Sequence, residues 1–302
     1  MTRVACLGEA MVELSMSGEN NATVGVAGDT LNTAIYLKRA APEIEVDYIT
    51  RLGTCPFSER IRGFIASEDI GTARITSDPS RTPGLYAITV DDTGERTFTY
   101  WRSAAAARDM FADHDFAALD GYDLIYLSGI SLAILPGPVR MALLDYLRGS
   151  GARLAFDGNY RPRLWEDADT ARRVSTAYGE AAHILLPSID DEMALYEETA
   201  AQVQDRLMAL GAGGALKRSS AGPLSLSGPV TQDYPAARKV VDTTAAGDSF
   251  NGGYLAALLS GADQAAALMA GHRLAAEVVQ HRGAIIPASA TRALYEGAVD
   301  AS

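Results

Sequence analysis

The chain has 302 residues, 48% of them hydrophobic, and a formal net charge of -12, enough for one large α/β domain with no bias towards disorder. That negative balance, with no basic stripe, argues against nucleic acid as a partner, and no apolar run approaches membrane-spanning length. Two cysteines, Cys6 and Cys55, give no disulfide framework, and the opening stretch from Met1 to Glu9 has the character of a strand and turn rather than of a signal peptide, so a cytoplasmic protein is expected.

In chain order, Val4 to Leu7 is a short buried strand. Thr30 to Arg39 carries helical spacing at Leu31, Ala34, Ile35 and Leu37, and Val46 to Thr50 returns to strand character. Gly84 to Val90 and Arg96 to Arg102 are β-rich runs around Asp91-Asp92-Thr93-Gly94-Glu95, a turn with a glycine available for positive φ, and so predict a β-hairpin. An isolated hairpin is marginal, so it either joins strands between Met11 and Val26 in a small separate sheet or lies at the edge of the main one. Leu124 to Leu127, Arg153 to Phe156 and Ile184 to Leu186 are further short strands, each followed by turn residues and a helical stretch. Such alternation predicts a mostly parallel sheet covered by helices on both faces, with ligands at the carboxyl ends of the strands. No repeat or linker divides the chain. Ser249 to Leu259 is helical, with Phe250, Tyr254 and Leu258 on one face.

Immediately before that helix stands Asp242-Thr243-Thr244-Ala245-Ala246-Gly247-Asp248-Ser249-Phe250. Small residues at 245 to 247 let the backbone approach a ligand closely, and the unpaired N–H groups of a first helical turn bind anions. A carboxylate among those amides is poorly placed to hold a phosphate but well placed to take a proton from an attacking alcohol. Taken locally, Asp248 suits an N-capping residue equally well. The whole string, however, resembles the C-terminal signature of the ribokinase-like (PfkB) carbohydrate kinases, with Ala245 standing where that family usually has the first glycine of Gly-Ala-Gly-Asp. The resemblance implies a three-layer α/β/α fold spanning residues 1–302 as a single kinase domain, with a small β-sheet lid from segments near 11–27 and 84–103. It also implies ATP and Mg²⁺ as cofactors, Asp248 as general base, and an anion hole formed by the N–H groups of Ala245, Ala246 and Gly247.

Further strings narrow the likeness. Ala27-Gly28-Asp29-Thr30-Leu31-Asn32-Thr33 resembles the family's N-terminal sugar-binding signature. Pro83-Gly84-Leu85-Tyr86, the run Gly94 to Arg102, Leu127-Ser128-Gly129-Ile130, the run Asp157 to Trp165, and Arg282 to Pro287 resemble those of the 2-keto-3-deoxygluconate kinases within it. This group transfers the γ-phosphoryl of ATP to the C6 hydroxyl of 2-dehydro-3-deoxy-D-gluconate. A sugar acid carries a carboxylate that suits the planar donor fork of arginine, and Arg102 and Arg161 fall in ligand-side segments, where they are expected to make a locally positive pocket against the overall charge. The resemblance adds Gly28 for close backbone approach, Asn32 for an amide, Tyr86 and Tyr100 for hydroxyls and an apolar wall, and Ile130 for packing.

The nucleotide half departs from the family pattern. In Ala215 to Gly222 the usual Lys-x-Gly-x-x-Gly keeps Lys217 and Gly222, but Ser219 replaces the first glycine. Where relatives carry Asn-x-x-Glu near the metal and phosphates, this chain has Ser188 and Asp191, with Glu192 adjacent; the same acidic cluster also suits a helix N-terminus. No metal ligands are assigned. A P-loop is absent, and Gly211-Ala212-Gly213-Gly214 fails the dinucleotide fingerprint. His114, His183, His272 and His281 are scattered, and only His272 falls near the family's adenine pocket. Kinases of fructose, tagatose or 2-keto-3-deoxygalactonate remain open, as does a non-catalytic sugar-acid sensor. Oligomeric state is equally open, a homo-oligomer included; the expected partners are a small sugar acid and ATP, with no nucleic acid or membrane.

Overall fold

The computed structural model describes residues 1–18, 20–90 and 96–299. Chain order begins with β1 (Arg3–Leu7), β2 (Met11–Met16), β3 (Ala22–Ala27), α1 (Asp29–Ala40), β4 (Glu45–Ile49), β5 (Arg51–Leu52), α2 (Pro56–Ser67) and β6 (Thr76–Ser77). The expected hairpin follows as β7 (Leu85–Val90) and β8 (Arg96–Trp101), its turn at 91–95 lying outside the described residues. Next come β9 (Leu124–Ser128), α3 (Gly129–Ile134), α4 (Gly137–Gly149), β10 (Arg153–Asp157), α5 (Ala168–Ala181), β11 (Ile184–Leu185), α6 (Ile189–Tyr196) and α7 (Ala200–Ala209). The chain closes with β12 (Gly213–Leu216), β13 (Leu224–Ser225), α8 (Ala246–Leu259), α9 (Gln264–Val278) and α10 (Ala288–Val299).

The main sheet runs β13-β12-β11-β10-β9-β1-β4 and is parallel except for the antiparallel β12–β13 pair at one edge. Its strands read as near-continuous apolar runs because both faces are covered. Alternation along each strand divides the core accordingly. Ala5, Leu7, Ile125, Leu127, Leu154 and Phe156 pack with Leu143 of α4 and Tyr178 of α5, whereas Val4, Cys6, Leu124, Tyr126 and Ala155 pack with Leu31 of α1, Phe250 of α8 and Leu268 of α9. This is the expected three-layer arrangement.

The hairpin is not at the edge of the main sheet. β7 pairs in parallel with β2, giving a separate four-stranded sheet in the order β3-β2-β7-β8. Its inner positions bury Met11, Ala27, Tyr86 and Ile88 against Ala284.

Two close approaches align the site. A Cβ on Gly252 would lie 2.6 Å from Tyr36 Cβ and 2.9 Å from both Leu37 N and Thr33 O, so only a glycine lets α8 press this tightly on α1. Likewise a Cβ on Gly28 would stand 2.1 Å from the Glu9 carbonyl oxygen. The glycine expected to meet a substrate is therefore first required by its own neighbour.

Candidate active site

One cavity of about 870 Å³ lies where the parallel strands end. Residues just beyond or at the carboxyl ends of β1 (Glu9), β9 (Ile130), β10 (Asp157), β11 (Ser188) and β12 (Lys217) line it, together with the small sheet and the start of α8. This placement follows from parallel strand order. Gly28, Asn32, Tyr86, Tyr100, Arg102, Ile130, Arg161, Ser188, Asp191, Lys217, Ser219, Ala245, Ala246, Gly247 and Asp248 all meet there. Gly222 does not. It sits behind the wall at φ +73°, where a Cβ would be 2.6 Å from the Tyr234 ring, so Pro223 and Tyr234 face the cavity in its place.

The helix carrying Asp248 starts at Ala246, three residues earlier than its apolar spacing suggests, so the aspartate falls in the first turn. Ala245, the residue before it, adopts a left-handed conformation at φ +59°, a geometry that glycine enters freely and alanine only at a cost. The anion hole needs one correction: Ala246 N–H donates to the Thr243 carbonyl at 3.2 Å. Among the described residues, no acceptor meets the N–H groups of Ala245, Gly247 and Asp248, which are the orphan donors of a helix start.

Asp248 Oδ2 accepts from Asn32 Nδ2 at 2.8 Å, and the Asp248 carbonyl accepts from Thr33 Oγ1 at 3.2 Å. The close α1–α8 contact brings these residues together. Burial pushes the Asp248 carboxyl up to about 8, reinforced by the charges of Asp29 and Asp157, while the Asn32 amide and the Lys217 ammonium pull it back. A carboxyl poised near neutrality is what general-base work requires.

Beneath it is a polar network whose connections motif reading did not give. Lys217 Nζ donates to Asp157 Oδ2 at 2.6 Å and to Asn251 Oδ1 at 3.1 Å, and Asn251 Nδ2 donates to the same Asp157 oxygen at 2.7 Å. Asn159 Nδ2 donates to Asp29 Oδ2 at 2.9 Å, and Ser128 Oγ shares that acceptor. Burial raises the Asp29 carboxyl, with the Ser128 hydroxyl as the main counterweight. Asp29, Asp157 and Asn159 lie in strings that resemble the family but take no role from that resemblance, and the sequence does not single out Glu9 or Asn251; the rule that ligands gather at the carboxyl ends of parallel strands points to Glu9, Asp157 and Asn159, which end or follow β1 and β10.

The expectation of a locally positive pocket is not met. Carboxylates on the wall, Glu9, Asp29, Asp157, Asp190, Asp191 and Asp248, outnumber Arg102, Arg161, Lys217 and Arg218. Each of the two arginines expected to meet the substrate is moreover paired. Arg102 Nη2 bonds Glu9 Oε2, leaving Arg102 Nε and Glu9 Oε1 buried without partners. Arg161 Nη1 reaches both Asp191 oxygens, at 3.0 and 3.2 Å, and the Tyr160 carbonyl at 2.7 Å. Tyr86 gives its hydroxyl to Glu13, so its ring rather than its hydroxyl is available to the cavity; it lies 5.5 Å from the Tyr100 ring. Glu192 points elsewhere, paired with Arg206 at 3.0 Å.

On the side expected to take the nucleotide Ser219 adopts φ +50°, the left-handed geometry that explains the glycine usual at this place in the family pattern. Beyond it, Tyr234, Val240, His272, Ala275, Ala276 and Val279 form a mainly apolar slot, sized by small residues on α9. His272 Nε2 is 2.7 Å from the Pro235 carbonyl, and its ring is 5.1 Å from that of Tyr234. No cluster of three or more metal-ligating side chains occurs among the described residues, and no helix among them is long and apolar enough to cross a membrane.

These features agree with the comparisons to known proteins. Residues 1–291 match the pfkB family carbohydrate kinase family. The 2-dehydro-3-deoxygluconokinase of Escherichia coli K12 is 40% identical over 306 residues, covering 95% of this chain and 98% of that protein. The enzyme of the same name from Dickeya dadantii is 41% identical over 305 residues, covering 95% and 97%. In fold, the crystal structure of aminoimidazole riboside kinase from Salmonella enterica, complexed with aminoimidazole riboside and an ATP analog, superposes with a TM-score of 0.81 at 24% identity, covering 97% of this chain and 99% of that one. Over nearly its whole length, this chain belongs to the pfkB family of carbohydrate kinases and is an ATP-dependent sugar kinase.

Proposed function

We propose that this kinase transfers the γ-phosphoryl group of ATP to the C6 hydroxyl of 2-dehydro-3-deoxy-D-gluconate. The observation that carries the reading is the presence, in one cavity, of Asp248 in the first turn of α8 and of two arginines, Arg102 and Arg161, on the wall. Relatives that bear this activity in their names support it.

In this mechanism Asp248 accepts the proton of the C6 hydroxyl as that oxygen attacks, and Asn32 holds the carboxylate in place through the stages of its titration. The free N–H groups of Ala245, Gly247 and Asp248 stabilise charge on the phosphoryl oxygens. Lys217, anchored by Asp157 and Asn251, keeps a positive charge close to the first turn: a Cβ on Gly247 would lie only 3.4 Å from its Nζ. The apolar slot beside His272 suits a purine ring. ATP supplies the phosphoryl group, and Mg²⁺, which favours phosphate oxygens and water with one or two carboxylates, would be held beside Asp190 and Asp191 on the wall, there being no cluster of three or more metal-ligating side chains among the described residues. Transfer is direct, with no covalent enzyme intermediate. Segments 11–27 and 84–103 act as a lid on a single kinase domain and keep water from competing with the sugar.

The ion pairs of both arginines favour a second reading, a kinase for a neutral ketose such as fructose, because a neutral sugar would leave Arg102–Glu9 and Arg161–Asp191 undisturbed. Turnover of ATP with 2-keto-3-deoxygluconate, its galactonate-derived epimer, tagatose and fructose separates the two. A strong preference for the acids supports the proposal. A preference for fructose or tagatose refutes it, and sugar binding without turnover would identify a sensor.

A further inference from the structure

A tie between the small sheet and the loop that leads into the catalytic helix runs through Arg96. Successive side chains of β8 alternate between faces, so Arg96, Phe98 and Tyr100 share one face, and Phe98 and Tyr100 line the cavity. Arg96 extends from that face to Asp242, forming an ion pair with it, and its Nη1 also donates to Thr244 Oγ1 at 3.3 Å. Asp242 is a structural hub. Only 2% of its side chain is exposed; Oδ1 accepts from Thr244 N at 3.0 Å and Oδ2 from Gly283 N at 2.6 Å. Thr244 directly precedes Ala245, whose left-handed turn aims the free N–H groups of the helix start. One end of the strand therefore stands over the sugar pocket with Tyr100 and Arg102, while the other grips the loop that sets the phosphate cradle.

We propose that Arg96 is a positioning residue that couples the sugar site to the phosphate cradle, holding the 242–244 loop in its transfer geometry when β8 is seated over bound sugar. The inference rests on the kinase reading above, though not on which sugar is used. An arginine is suited to this because one guanidinium nitrogen, Nη1, meets both the Asp242 carboxylate and the Thr244 hydroxyl while the delocalised group keeps its charge, and its burial against Asp242 makes the contact sensitive to small shifts of the strand.

The test uses Arg96→Gln, which removes the charge but keeps donors, alongside Arg96→Lys, which keeps the charge and a single donor nitrogen on a shorter, unbranched side chain. With whichever sugar the wild type phosphorylates, Arg96→Gln should lower kcat by roughly ten- to a hundredfold, the usual cost of misplaced catalytic groups, and raise the ratio of ATP hydrolysed to sugar phosphorylated. Arg96→Lys should recover part of both. Independently, hydrogen exchange of the amides at 245–248 should slow when sugar alone is added to wild type, and this protection should be lost in Arg96→Gln. Unchanged coupling and unchanged sugar-dependent protection in a folded Arg96→Gln would overturn the inference. A wild type that phosphorylates none of the sugars overturns the kinase reading instead, so the two failures are distinguishable.

Discussion

Replacing Asn32 by alanine isolates what the site does to its proposed base, Asp248. The Asn32 amide donates to Asp248 Oδ2 at 2.8 Å and favours the ionised form. A hydrogen bond to a charged group is worth about 1.5–3 kcal/mol, and one pKa unit corresponds to about 1.36 kcal/mol, so its loss raises the Asp248 pKa by about one to two units. Water entering the vacated space returns part of this, which favours the lower figure. Asp248 begins at about 8 in the free enzyme, so roughly one molecule in ten is ionised at pH 7, and the variant has roughly one in a hundred. The sign is fixed: proton transfer needs the carboxylate, so activity falls on the acid side and recovers on the alkaline side. The assay is the pH profile of kcat/KM between about pH 6 and 10, which reports the ionisations of free enzyme and free substrate. Its acid limb should move up by about one unit, with the variant approaching wild type at the alkaline end. A profile lowered by one constant factor, its midpoint unmoved, would mean that Asn32 merely binds sugar or that Asp248 is not the titrating base.

Asp248→Asn should lower kcat by roughly two to four orders of magnitude, the scale for a positioned base. It should also melt higher than wild type near pH 8: a carboxyl raised in the folded state contributes stability fully present below its unfolded pKa and lost as pH rises towards about 8, so the advantage should shrink towards pH 4, as thermal melts across that range would reveal. Arg102→Ala leaves Glu9 buried and unpaired, which costs about 3–5 kcal/mol; calorimetry should show the loss, and adding Glu9→Gln should restore the melting temperature without restoring affinity for a sugar acid. Recovery of both would remove Arg102 from substrate binding. Ser219→Gly and Ala245→Gly relieve left-handed strain of about 1–2 kcal/mol per residue, offset by roughly 0.5–1 kcal/mol of extra chain entropy, so denaturant unfolding should show each variant as stable as wild type or up to about 1.5 kcal/mol more so, whereas alanine at 219 should bring no such gain.

Asp248 and its small-residue turn were legible as a helix start because that signal is local, but the residues alone suited an N-cap equally well, and only the resemblance of the whole string made Asp248 a candidate base. The strand and helix pattern was legible too, within one residue at most boundaries, since parallel strands covered on both faces are continuously apolar. What sequence withheld were pairings over distance. Arg102 and Arg161 could be assigned to ligand-side segments, but that Glu9 and Asp191 neutralise them depends on how β1 and α6 are placed in three dimensions. The same is true of Arg96 and Asp242, 146 positions apart in numbering, and of Gly222, whose place in a motif put it at the nucleotide while its backbone turns it behind Tyr234. The helix carrying Asp248 began early because Ala246 and Gly247 have no side chain large enough to register in an apolar period.

The hydrogen bond between Asn32 and Asp248 joins residues 216 positions apart, and it depends on the tight contact of α8 with α1. A chain emerging from the ribosome thus carries Asn32 long before Asp248, its proposed base, exists, and contacts this distant in sequence form slowly because a large loop must close first. Refolding from denaturant should accordingly restore helical signal well before it restores phosphoryl transfer, the final docking of α8 and α9 being the event that turns a nearly assembled α/β body into a catalyst.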